Sequence, residues 1–266
     1  MKKLIFFSAA LALFVACGTS ATKDNDPWGK VDPSDSKSST VLEGSVKSNA
    51  MNRDMTYSAW LPAGYDETKS YPFLYLLHGY ENQDQNARHD RCWLDKGNAA
   101  YLADSYQKGG GVEMVIIMPN GLDKFYTWDG YEEYFENELM AAVEEKYHGN
   151  GKRAIAGLSM GGYGTLYHAL KYPEKFTYAY AMSPAADASM SAYIGVQEDK
   201  SVFPAFTFEV GLQDYTVDNS KAKSLYNSMI KNGLTSDWIE REGTHDWAFW
   251  KACLPKTLQK VGASFK

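Results

Sequence analysis

The stretch "AIAGLSMGGYGTLYHAL", Ala154 to Leu170, decides how the whole chain is read. With Arg153 in front, its first half is apolar and predicts a strand that runs straight into glycines. Its second half, extended to Pro173, predicts a helix stopped by that proline. Between the two, Gly157-Leu158-Ser159-Met160-Gly161 fits the pattern G-x-S-x-G. Glycine and serine are common, so five letters alone carry little weight. The strand-to-helix junction is what makes them informative. A sharp turn there has no room for side chains beside the serine and lifts Ser159 above the sheet edge. Its hydroxyl then lies near the positive end of the following helix.

Outward from this turn, strands and helices alternate. Met55 to Tyr65 predicts a strand ending at Pro62. Phe73 to Leu77, in "YPFLYLLHGY", is a continuous apolar run, as expected of a strand buried on both faces. Val112 to Gly121 is another, stopped by Pro-Asn-Gly. "TYAYAMSPA", "AFTFEVGLQD" and "TSDWIEREG" predict three more. Helices are predicted near Gly97 to Gln107, over Tyr131 to Tyr147, over Asn219 to Gly233, and from Trp247 onward. In the last, Pro255 must kink the helix or begin its second half. Tyr131, Tyr134, Phe135, Leu139, Ala142, Val143 and Tyr147 fall on one stripe, with acids opposite. The alternation implies βαβ units and an α/β fold: a mostly parallel central sheet with helices on both faces, in a single domain over residues 41–266.

The 266 residues suffice for one large α/β domain, and 44% of them are apolar. A net charge of −6 offers no basic field to neutralise phosphates, which argues against a nucleic-acid partner. Residues 1–16 carry Lys2 and Lys3, then an apolar run too short to span a bilayer, the shape of a secretory signal peptide. Phe14-Val15-Ala16-Cys17 resembles a bacterial lipoprotein signal, so cleavage before Cys17 and its lipidation are expected. Residues 17–40 are polar and aperiodic and predict a disordered tether. The expected place is outside the cytoplasm, lipid-anchored to a bacterial membrane, periplasmic or at the cell surface. Such a location permits a disulfide, and the sequence leaves open whether Cys92 and Cys253 pair.

A serine hydroxyl is a poor nucleophile at neutral pH and needs a base, which in turn needs an orienting acid. On this fold the partners follow in the order Ser, acid, His. Of five histidines, only His168 and His245 come after Ser159. His168 lies two turns into the helix and is read as structural. His245, in "EGTHDWAFW", lies between a strand end and a helix start, where a base belongs in an open α/β sheet. Asp214 directly follows a strand and is the favoured acid; Asp187 and Asp218 are the alternatives, the latter near a helix cap. An oxyanion needs backbone N–H donors, assigned to Met160 and, from "LLHGYENQ", to Tyr80. His78 is read as stabilising that turn. No Cys, His and carboxylate cluster has ligand spacing, so no metal or other cofactor is expected.

"YPFLYLLHGY", "PNG", "GLSMGGYGTL", "GLQDYTVDN" and "GTHDWAFW", in this order, resemble the esterase D-type α/β-hydrolases over roughly residues 45–260. That family includes feruloyl and acetyl-xylan esterases, S-formylglutathione hydrolases and mycolyltransferases. The resemblance implies an α/β-hydrolase fold and supports Ser159, Asp214 and His245 as nucleophile, acid and base. With the leader, it implies an exported feruloyl esterase or related esterase that removes acyl groups from plant polysaccharide such as xylan, with an acetyl-xylan esterase as the alternative. A small-ester or siderophore esterase, an acyltransferase and a glycan-binding protein are the other readings. Tyr126, Trp128 and Tyr131, in the loop "GLDKFYTWDGYEEY", either stack on a feruloyl ring or sugar face or pack on the next helix; Trp247 and Trp250 have the same two readings. The substrate-binding expectation names Tyr126, Trp128 and Trp247. Oligomeric state is not legible.

Overall fold

The computed structural model describes residues 38–81, 84 and 86–266. The leader, Cys17 and the tether up to residue 37 lie outside the described residues.

Eight strands form one sheet in the order β1-β2-β4-β3-β5-β6-β7-β8. They are β1 (Thr40–Ser48), β2 (Arg53–Leu61), β3 (Tyr71–Leu77), β4 (Val115–Pro119), β5 (Gly149–Leu158), β6 (Tyr178–Met182), β7 (Ala205–Gly211) and β8 (Ser236–Arg241). β1 pairs antiparallel with β2, and β2 antiparallel with β4. From β4 to β8 every pairing is parallel. The helices are α1 (Cys92–Asp95), α2 (Ala99–Lys108), α3 (Tyr131–Glu133), α4 (Met140–Lys146), α5 (Met160–Lys171), α6 (Ser191–Val196), α7 (Asn219–Lys231) and α8 (Trp247–Ser264).

Side chains alternate across a strand, so one apolar run feeds two cores. In β3, Phe73, Tyr75 and Leu77 enter one core, with Phe135 and Val143, with Leu166 and Leu170 of α5, and with Leu225 and Met229 of α7. Leu74 and Leu76 enter the other, with Leu102 of α2 and Leu254, Leu258 and Val261 of α8. All seven residues of β3 are buried. This is the layered arrangement expected from the sequence, and burying each such side chain stabilises the fold by roughly 1.5–3 kcal/mol.

Two features, β1 and the middle of the Tyr131 helix, differ from expectation. β1 was not anticipated as a strand; most of it is exposed, as an edge strand, so it carries no apolar alternation. Tyr131 to Lys146 is helical throughout, but the middle, Tyr134–Leu139, is wound as a π-helix. Of the two expectations for Pro255, α8 runs continuously through it, so it does not begin a second half. Cys92 and Cys253 are both free and buried, so no disulfide joins them. Burial pushes the Cys92 thiol up to about 12 and that of Cys253 higher still, which keeps both protonated.

Candidate active site

In a parallel sheet all the strand-to-helix loops of one edge converge, and four of them meet here. Ser159 directly follows β5 and is the N-cap of α5, with φ 52° and ψ −114°. Such a conformation costs a non-glycine residue on the order of 1–3 kcal/mol. The turn is held from both sides: the Ser159 amide donates to the Met182 carbonyl at 2.9 Å, and Tyr163 and Ala185 amides donate to the Ser159 carbonyl at 3.0 Å each. The glycine requirement is steric. A Cβ on Gly157 would run into the Gly161 carbonyl, and one on Gly161 would stand 2.5 Å from the carbonyl oxygens of Leu77 and His78.

His245 lies in the loop between β8 and α8. Its Nε2 is 2.9 Å from Ser159 Oγ, and its Nδ1 is 2.7 Å from Asp214 Oδ2. Asp214, in the loop after β7, is buried, and its other oxygen accepts the Thr216 amide at 3.0 Å. A carboxylate so engaged fixes the imidazole with Nδ1–H toward Asp214 and a free lone pair on Nε2 toward the serine. Both ring nitrogens of His245 are thus engaged by Asp214 and Ser159, and neither alternative acid is its partner. Asp187 caps the turn Ala188–Met190, and Asp218 caps α7. His168 is wholly buried between Glu136 Oε1, at 2.6 Å, and the Tyr126 carbonyl, at 2.9 Å.

Residues that sequence reading missed hold this arrangement in place. Gln213 accepts the Gly243 amide at 2.8 Å and donates its own amide to the Gly243 carbonyl at 3.0 Å, which ties the Asp214 loop to the His245 loop. Asp246 caps α8 by accepting the Phe249 amide at 2.9 Å. Arg241 bridges the buried Glu209, at 2.6 Å, and the Phe249 carbonyl, also 2.6 Å, which anchors the start of α8 to β7 and β8. The Trp250 ring, already singled out in the sequence, stands edge-on to His245, with centroids 4.9 Å apart. Of these hydrogen bonds the Asp246 cap is local in sequence; Gln213 with Gly243 and Arg241 with Glu209 join residues 30 and 32 positions apart, so no motif announces them.

Met160 opens α5, where the first amides of a helix have no partner within it. Tyr80 is half exposed, one residue past Gly79, whose Cβ position lies 3.5 Å from that of Ser159. His78 is buried. Its Nδ1 is 2.6 Å from the Gly79 carbonyl and its Nε2 accepts the Gly121 amide at 2.8 Å, so it is built into the turn. Burial lowers it to about 4, and it is neutral near pH 7.

The aromatic loop after β4 corrects one expectation. Tyr126 has no exposed surface; its hydroxyl donates to the His78 carbonyl at 3.1 Å, so its ring is core and touches no substrate. Tyr131 is equally buried and donates to the Asn120 carbonyl at 2.9 Å. Trp128 is 51% exposed and stacks on Phe125 at 4.6 Å, and Phe125 in turn meets the edge of Tyr163 at 5.4 Å. Trp247 is partly buried against Trp93 and Trp250, with Lys96 5.8 Å from its ring centre.

A mostly parallel sheet of this order, with a strained serine at the end of β5 hydrogen-bonded to a histidine, defines an α/β-hydrolase-type ester hydrolase. The model of the family Esterase ("Putative esterase") matches residues 48–261, and the chain belongs to that family. It is a serine carboxylesterase. An acetyl esterase of Caldicellulosiruptor saccharolyticus is 26% identical, over 82% of this chain and 97% of that one. An endo-1,4-beta-xylanase/feruloyl esterase of Xylanibacter ruminicola is also 26% identical, over 80% of this chain; the match spans 30% of that longer enzyme. The solved structure of a ferulic acid esterase superposes with a TM-score of 0.76 at 27% identity, covering 86% of this chain and all of that one.

Proposed function

We propose that this chain is an exported feruloyl esterase, or a closely related esterase, that removes acyl groups from xylan-type polysaccharide with a Ser159-Asp214-His245 triad. The observation that carries it is the unbroken chain of contacts from Ser159 Oγ through His245 to Asp214, 2.9 and 2.7 Å long. Ser159 Oγ attacks the ester carbonyl carbon while His245 Nε2 takes its proton. The charge that develops on the carbonyl oxygen is met by the Met160 and Tyr80 amides. As the tetrahedral species collapses, the carbon–oxygen bond to the sugar breaks, and the alcohol leaves with the proton from His245. Water then attacks the acyl-enzyme by the same route and frees the acid and Ser159. Asp214 keeps the imidazole in its productive tautomer throughout.

The Phe125–Trp128 stack, open to solvent one helical turn from Ser159 through Tyr163, supports a flat aromatic acyl group. Trp247 is the wall on the His245 side. The acetyl esterase relative, matched over nearly its whole length, favours a second reading, in which the acyl group is acetate. Release of acid from methyl ferulate and from acetylated xylan, by the chain and by its Ser159→Ala variant, separates the two. Ferulate release that disappears in the variant supports the first; acetate alone supports the second; release undiminished by Ser159→Ala overturns both. Export by lipidation rests on the run ending in Ala16-Cys17. Cys17→Ser is expected to move the protein from the membrane fraction to the soluble one, and an unchanged distribution would refute the anchor.

A further inference from the structure

We propose that Asp123 is a positioning residue that aims the oxyanion-binding amide of Tyr80, an inference that rests on the reading of the site just given. The segment from Leu77 to Glu81 is pinned one peptide at a time. Trp93 Nε1 donates to the Leu77 carbonyl at 3.0 Å, and the Tyr126 hydroxyl donates to the His78 carbonyl at 3.1 Å. His78 Nδ1 holds the Gly79 carbonyl at 2.6 Å. That carbonyl and the Tyr80 N–H belong to one planar trans peptide and point in opposite directions. Holding the one therefore sets the direction of the other, and only rotation about the next bonds remains. The next peptide is held by Asp123, whose Oδ1 accepts the Glu81 amide at 3.0 Å. The Tyr80 amide thus lies in one held peptide plane, and the plane that follows it is held as well.

Asp123 stands where it does at a cost. Its side chain is 3% exposed, and His89 Nδ1 lies 4.0 Å from its Oδ1. It has φ 55°, within a run in which Leu122, Phe125 and Tyr126 also take positive φ. A left-handed run of non-glycine residues is unfavourable and persists where the surroundings require it. The loop that carries it turns back on the residues after β3, within reach of the segment that faces Ser159.

An oxyanion donor acts on charge present in the transition state and hardly at all on the bound ester. A loosened Tyr80 amide therefore lowers kcat and leaves KM alone, a split that a general loss of stability does not produce. Two substitutions suit the backbone at residue 123: glycine adopts positive φ freely, and asparagine tolerates it while keeping an oxygen acceptor. In the full chain, with 4-nitrophenyl acetate as substrate, Asp123→Gly is expected to lose about 10- to 100-fold in kcat with KM within about twofold, in the range of oxyanion-donor deletions or just below it. Affinity for a boronic acid, which forms a tetrahedral adduct on the serine, should weaken by the same factor. Asp123→Asn should stay within about threefold of the unaltered chain in both measurements, because the hydrogen bond to Glu81 survives. Asp123→Ser, with a side chain one atom shorter, is the second deletion and decides the matter if the glycine variant does not fold. Wild-type kcat in either deletion variant, with or without a lowered melting temperature, would overturn the proposal, as would an equal loss in Asp123→Asn. Ser159→Ala runs beside them. If it retains turnover, the reading of the site has failed; if it is inactive while the Asp123 deletions are unimpaired, the positioning role alone has failed.

Discussion

At Ser159, one side chain gathers three demands: a strained backbone, a tight turn and a hydrogen bond to His245. On the proposed mechanism, removing either end of that hydrogen bond removes the proton transfer. Ser159→Ala and His245→Ala are each expected to lower kcat by several orders of magnitude with the fold retained, since neither side chain is part of the core. Asp214→Asn should cost somewhat less. It leaves the nucleophile and base in place but allows the imidazole the wrong tautomer. Steady-state kinetics beside near-ultraviolet circular dichroism checks this; near-full activity in His245→Ala would remove the triad. The convergence of Ser159, Asp214 and His245 was legible because each lies in the loop that follows a strand of the parallel sheet, so it follows from strand order. Tyr126 was misread for the opposite reason. A loop with positive φ at five non-glycine residues has no sequence signature, and its turn carries the ring inward beneath His78.

Among the elements, α8 bears most on the site, because its N-cap Asp246 adjoins His245. Thr244 Oγ1 donates to Asp246 at 2.5 Å, and the Phe249 amide donates to it at 2.9 Å, so one carboxylate closes the loop over the first turn. The Thr244 hydrogen bond holds the Asp246 carboxyl below its usual range. Asp246→Ala should cost about 1 kcal/mol, the usual value of a cap. In a domain of this size that is a fall of roughly 2–4 °C in Tm. A several-fold loss in kcat/KM should accompany it, because His245 loses its frame; Asp246→Ser should restore most of both. An unchanged Tm in the alanine variant would show that Arg241 and Glu209 alone fix the helix start. Helices and central strands were legible from period and apolar runs. β1 was not, because an exposed edge strand has neither, and its pairing with β2 is decided by register: Thr40 opposite Leu61 through Ser48 opposite Arg53. The passage of α8 through Pro255 was undecidable for a related reason, since packing of the residues on either side, Leu254 and Leu258 among them, outweighs a local breaker.

Across the whole molecule, the loops after β3 and β4 meet at a single neutral imidazole, and this makes the fold sensitive to acid in a definable window. His78 bridges the Gly79 carbonyl and the Gly121 amide, donating through Nδ1 and accepting through Nε2. A second proton on Nε2 would face the Gly121 N–H and take a charge into the interior. Burial accordingly lowers the group from 6.5 to about 4. Between these two values the unfolded chain takes up a proton that the folded chain refuses. The contribution of His78 is therefore complete above about pH 6.5 and lost as the pH falls toward 4, to a total of roughly 3 kcal/mol. The carboxylates held low by capping, Asp218 by Ser220 and Asp246 by Thr244, act in a lower window, below the ordinary carboxyl value of 3.8. The two effects are thus separable by pH. Unfolding free energies from urea titrations at pH 7, 5.5 and 4.5 should fall steadily in the unaltered chain. His78→Gln, which has a donor and an acceptor but does not titrate, should flatten the His78 part of that slope while lowering stability at pH 7. A slope identical in the two proteins would place the acid sensitivity elsewhere and show that His78 accepts its second proton without breaking the bridge between the loops.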